Sequence, residues 1–174
     1  MARFIAALSR ITALVGGVVL CAVILMTCVS IIGRAFSGMG LGPVKGDFEL
    51  VEIGTAIAVF CFLPWCTLAS GHATVDVFTN LMSTKTNRYI VAFWEVVMAM
   101  VLIFIAWRLY EGLITKTKNN ETTFLLQVPI WWAYAGCMVP AAIAGLTAIW
   151  SAWDRVSSAM TGIETRPING EASH

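Results

Sequence analysis

Charge is scarce in this 174-residue chain: 12% of residues are Asp, Glu, Lys or Arg, where soluble domains carry roughly 25%. Apolar residues make up 59%, against roughly 45–50% in such domains. A mean hydropathy of +0.82 is expected only if long apolar runs lie in lipid, which argues against a soluble globular protein. Eleven basic residues against ten acidic leave a formal net charge of +1, so no general basic field exists to attract nucleic acid or anionic lipid.

Histidine is nearly absent, with only His72 and His174. A haem held between helices needs two axial ligands there, and this chain does not supply them. The five cysteines, Cys21, Cys28, Cys61, Cys66 and Cys137, all fall inside apolar runs. That placement implies neither a disulfide framework nor a zinc cluster; small hydrophobes facing helix or lipid are expected instead. Cys61 and Cys66 form a C-x4-C inside an apolar run, not the exposed loop pair that a four-helix thiol oxidoreductase needs. No Gly-rich phosphate loop or activated nucleophile is visible, so the chain is expected to be no enzyme and to hold no catalytic, cofactor or metal residue.

What the sequence has is long apolar runs. Ile11 to Ile32 is 22 residues without a charge, about 33 Å of helix and enough to cross a bilayer. Arg3 and Arg10 precede it as in a signal peptide, but a signal h-region runs only about 7–15 residues, so a retained anchor is expected. Further spans are expected at 48–70, 89–107 and about 125–153. The resulting class is an all-α integral membrane protein, with residues 11–153 as a four-helix membrane domain between an N-terminal segment, 1–10, and a polar tail, 154–174. Gly38, Gly40, Gly42 and Pro43 mark the first connection, and Tyr110 to Thr123 reads as a polar loop. Val75, Phe78, Leu81 and Met82 share one face at helical spacing, predicting a short interfacial helix over 75–82.

Tryptophans support the count independently of hydropathy. Trp131 and Trp132 stand at one end of the fourth span and Trp150 and Trp153 at the other, the inner pair about 27 Å apart along a helix, as expected of aromatic belts. Trp65 and Trp94 sit deeper and are expected between helices. Pro64 and Pro140 predict kinks that shape the bundle to a partner or to its own packing. Ala141 with Gly145, and Ala148 with Ala152, give the small-xxx-small spacing of close helix contacts. Four spans put both termini on one side, which then carries six basic residues against five on the other, so charge bias does not set the orientation.

Ionisable groups within spans are the functional candidates, because charge is costly in hydrocarbon. Glu95 lies six residues past Tyr89 and has two readings: the coupling site of an autonomous proton-coupled carrier, or a packing acid paired with a base. Glu49 and Glu52 lie one turn apart where the second span opens, a position the helix dipole favours for acids. Arg34 leaves the first span on the same side, and an antiparallel hairpin would let it pair with Glu49.

Taken in order, these residues resemble a known pattern. Arg34 ends the first span, Glu49 opens the second, Gly71-His72-Ala73-Thr74-Val75-Asp76 follows it, and Val128-Pro129-Ile130-Trp131 with Tyr134 and Pro140 leads the fourth. This resembles the DctQ-like small membrane subunit of tripartite ATP-independent periplasmic (TRAP) transporters, over nearly the whole chain. That family often has a Trp just before the acid and a base before the Gly-His; Asp47-Phe48 and Ala69-Ser70 stand there instead. The resemblance implies a multi-pass subunit of the bacterial inner membrane with both termini cytoplasmic and no transport path of its own. Its implied partners are the lipid bilayer, a large elevator-type membrane subunit where sodium is expected, and a periplasmic binding protein for an organic acid. Arg34, Glu49, Glu52, Gly71, His72, Asp76 and Glu95 are then candidates for interface or structural roles.

Overall fold

The computed structural model describes residues 2–69 and 84–161. Four long helices account for most of them: α1 (Ala2–Ala35), α2 (Asp47–Leu68), α3 (Thr84–Asn119) and α4 (Trp131–Thr161). All four are long and apolar enough to cross a membrane, which makes this a multi-pass membrane protein. The expected 75–82 interfacial helix lies outside the described residues.

Helices that cross lipid have no hydrophobic drive to associate, so they meet through small and hydroxyl side chains that permit close approach. The first pair shows this. The buried face of α1 carries Ser9, Thr12, Gly16 and Ser30, while Ile11, Leu14, Val18, Leu25 and Val29 point outward. A Cβ at Gly16 would lie 2.7 Å from Cys61 Cβ, and one at Gly54 would overlap the Val23 side chain. Along α1 the contacts climb from Gly16 to Val23 to Ser30 while their α2 partners fall from Cys61 to Gly54 to Asp47. The hairpin is therefore antiparallel with one continuous register.

The second pair, α3 and α4, is also antiparallel: Gly112 accepts the Tyr134 ring at one end and Glu95 meets Arg155 at the other. Ala92, Ala99 and Leu102 of α3 are buried, as are Cys137, Ala141, Ala144, Ala148 and Ser151 of α4. Gly145 is buried too, but a Cβ there would meet nothing within 4 Å, so its close-contact role is not realised here.

The pairs join through α2 and α4, which run parallel, with Ile57 Cδ1 3.1 Å from a Cβ built on Gly136. Packing is extensive for α1 on α2, α2 on α4 and α4 on α3, slight for α1 on α4, and of no comparable extent between α3 and the first pair. The helices thus form an open row with α2 and α4 at its centre. Pro64 and Pro140 are both buried inside the row, each within a continuous helix.

Several details differ from the sequence expectations. Helix α3 does not stop at Trp107 but continues to Asn119, because Arg108 to Asn119 is polar yet rich in good helix formers and needs no lipid around it. The fourth helix starts at Trp131 and not at about 125, because Pro129 pairs with Thr122 in a β-bridge. Trp65 and Trp94 are 42% and 59% exposed, so both indoles face outward instead of packing between helices. Their size keeps them off surfaces that small residues bring together.

Candidate functional site

A set of polar contacts that tie loops to helices gathers at the end of the row where α1 finishes, α2 starts, α3 finishes and α4 starts. The α1–α2 connection contains a 3-10 turn, Ser37–Met39, closed by Gly40 at φ 86°. Gly46, at φ 71°, then turns the chain into α2, a left-handed conformation that glycine adopts at little cost. Its bare Cα is covered by the Leu126 side chain from the α3–α4 loop, which any Cβ there would overlap.

Asp47 and Glu49 bind different partners because two residues on a helix point about 200° apart. Asp47 faces α1, where its Oδ2 accepts from Ser30 Oγ at 2.5 Å and from Arg34 Nη2 at 3.5 Å. Ser30 Oγ in turn accepts from the Val44 amide, so one hydroxyl joins the helix, the loop and the carboxylate. Arg34 therefore pairs with Asp47, not with Glu49 as the sequence suggested.

Glu49 faces the other loop and is 9% exposed. Its two carboxylate oxygens accept from the backbone N–H groups of Leu125 (2.6 Å) and Leu126 (3.0 Å). A carboxylate receiving two amides is a charge-assisted arrangement, among the stronger hydrogen bonds proteins make. It links α2 to a segment 76 and 77 residues further on.

That segment is a small hairpin. The bridge between Thr122 and Pro129 is closed by Thr123 N–H to Val128 O and Ile130 N–H to Glu121 O, each 2.9 Å. Gln127 sits at φ 56° and Asn120 at φ 50°, both in the left-handed region at the bends. Glu121 accepts from Lys116 Nζ and, at 3.0 Å, from Asn119 Nδ2, tying the loop to the end of α3. The Lys116 ammonium first, and Asn119 second, hold the Glu121 carboxyl below the ordinary glutamate range. At the tip the Phe124 ring is 90% exposed, an apolar side chain displayed on a hydrogen-bonded hairpin.

The other end is held differently. Glu95 Oε1 and Arg155 Nε are 4.0 Å apart, with side chains 13% and 9% exposed. Glu95 and Arg155 both lie within helices long and apolar enough to cross a membrane, and antiparallel packing brings them to one level at this end of the row. Paired with a buried guanidinium between two helices, Glu95 has the geometry of a packing acid.

Glu52 sits on an outward face of α2, and Gly71, His72 and Asp76 lie outside the described residues. Asp47, Ser30, Lys116 with Glu121, and Arg155 carry much of the polar structure and were not singled out from sequence. No group of three or more His, Cys, Asp or Glu able to hold a metal ion occurs among the described residues.

The fold and this end together define a class: a four-span membrane protein whose polar residues are used mainly to tie helices and loops to one another. Residues 23–158 match the family model for tripartite ATP-independent periplasmic transporters, DctQ component. The chain belongs to that family, and is a TRAP transporter small subunit. The family is a transporter component and not an enzyme family, and it implies a complex with a large membrane subunit and a substrate-binding protein. No curated protein and no solved structure matches the chain.

Proposed function

We propose that this subunit is the fixed scaffold of a sodium-driven secondary transporter for organic acids, carboxylates or sulfonates. It braces the large elevator-type subunit within the bacterial inner membrane and helps dock the periplasmic binding protein. Sodium and the solute belong to the large subunit, and this chain holds no cofactor. Both termini are cytoplasmic in this reading, which puts the hairpin and the Ser37–Met39 turn on the periplasmic side as part of the docking surface.

The observation that carries the reading is the match to the DctQ component across residues 23–158, with all four spans inside or overlapping it. The clasped loops support a docking role, since a surface that receives a soluble partner repeatedly benefits from being pre-organised. The Glu95–Arg155 pair at one end of the row does not favour an autonomous proton-coupled carrier.

Reconstitution tests this. The purified chain alone in liposomes is expected to give no sodium-driven organic-acid uptake, and uptake is expected once the large subunit and binding protein are added. Transport by the chain alone, or full transport without it, would remove the scaffold role.

A further inference from the structure

Helix α2 has neighbours on two sides and still leaves a face uncovered. Phe48, Glu52, Thr55 and Val59 are exposed along it. Two troughs of about 450 Å³ each adjoin this face, and both are lined by Glu52, Ala56 and Phe60 at successive helical turns. One is open and almost wholly apolar; the other reaches Leu109 of α3 and Tyr134 and Cys137 of α4.

The parallel register of α2 and α4 fixes the depth. Ile57 is level with Gly136, so Glu52 is level with Trp131, in the aromatic belt, and Ala56 and Phe60 descend from it into the apolar layer. The charges around the second trough do not cancel. Glu49 is used by the loop amides, and Lys116 is neutralised by Glu121. Among the described residues the Glu52 carboxylate has neither a hydrogen-bond nor an ion-pair partner. An acid at that level is tolerable while wet, but a helix laid over the troughs would strip its water, and the cost is offset only if the incoming helix brings a cation.

We propose that this α2 face seats a transmembrane helix of the large transporter subunit, with a Lys or Arg of that helix on Glu52 and its apolar side chains along Ala56 and Phe60. Side chains three and four residues apart on a helix share a face, which suits an occupant that descends the same turns. The acid supplies specificity as well as attraction, because a helix without a basic residue at that level would bury an unpaired carboxylate. The inference rests on the scaffold reading and adds to it a face, a residue and the charge of its partner.

The test uses the full chain co-expressed with the large subunit and purified through a tag on the small one. Glu52→Lys is expected to cut recovery of the large subunit by more than about tenfold, since like charges at an interface cost several kcal/mol, and Glu52→Gln is expected to cut it less. A benzophenone amino acid at Thr55 is expected to cross-link to the large subunit in the Glu52 protein and not in Glu52→Lys. Thermal unfolding of each variant alone should stay close to the wild type, because Glu52 is exposed and has no hydrogen-bond or ion-pair partner to lose among the described residues. Wild-type recovery with Glu52→Lys and no cross-link from Thr55 would overturn the seat while leaving the scaffold reading intact. Retention of the large subunit by Glu52→Lys with selective loss of co-purifying amine phospholipid would also overturn it, giving the face to lipid. Failure of the wild-type chain to retain the large subunit at all would overturn the scaffold reading, and the seat with it.

Discussion

The two ends of the helix row solve the same problem by different means. At one end, carboxylates fold back onto backbone amides and a hydroxyl: Glu49 on Leu125 and Leu126, and Asp47 on Ser30. At the other, Glu95 and Arg155 join α3 to α4 side chain to side chain. A carboxylate bound to amides fixes a loop, because those amides would otherwise need water. A side-chain pair fixes the register between two helices and leaves the chain around it free to vary. The first end is thereby suited to presenting a surface, and the second to holding the row together.

The largest effect is expected at the second end. Arg155→Leu should destabilise the protein by about 3–5 kcal/mol, because it leaves the Glu95 carboxylate buried beside no guanidinium. The double variant Glu95→Leu/Arg155→Leu should lose much less, and thermal unfolding in detergent reads both. If the double variant is no better than the single one, the pair is not the joint between α3 and α4.

Next in size is Gly46→Val. A branched side chain must adopt φ near 71° and overlap Leu126, and the left-handed conformation alone costs roughly 1–2 kcal/mol. The loss should appear as lowered thermal stability together with faster proteolysis of the 120–130 loop. Loss of stability with the loop still protected would separate the two connections that the structure joins at Gly46 and Leu126.

Glu49→Gln is a finer probe. It keeps the shape but replaces a charged acceptor with a neutral one, so amide exchange at Leu125 and Leu126 should rise by about tenfold while the helices keep their protection. Acceleration spread evenly over both ends of the row would contradict the division drawn between them.

The smallest effect concerns pH. The Glu121 carboxyl lies below its ordinary range in the folded protein, so its contribution is full above the ordinary glutamate value and is lost as pH falls toward the folded one. Exchange in the 119–123 segment, corrected for intrinsic rates, should therefore increase on acidification below that range, and Glu121→Gln should lessen the pH dependence, leaving the part that Glu49 contributes through the same loop.

The spans were legible because hydrocarbon demands runs of about 20 apolar residues, and Ile11 to Ile32 is such a run whatever surrounds it. The helical stretch Arg108 to Asn119 was not, because a polar extension of an apolar run carries no hydropathy signal. Glu49 stands out in the sequence as an acid opening a span, but its partners are backbone amides of Leu125 and Leu126, which have no side-chain signature at all. Arg34 was assigned the wrong acid because the relevant fact is the rotation of α2 about its axis, which turns Asp47 and not Glu49 toward α1. Glu95 stands out in the sequence as an acid within an apolar run; its partner Arg155 follows from the register of α3 against α4, which one helix read alone does not contain.

The central claim is that this subunit stays fixed while its large neighbour moves. Spin labels at Ser37 and Thr122 would straddle the two clasped loops, and pulsed electron–electron resonance on the assembled transporter would follow the distance between them. A single narrow distance is expected with and without sodium, solute and loaded binding protein. A distance that shifts or splits when transport is driven would show the loops to be moving parts, and the scaffold account would be wrong.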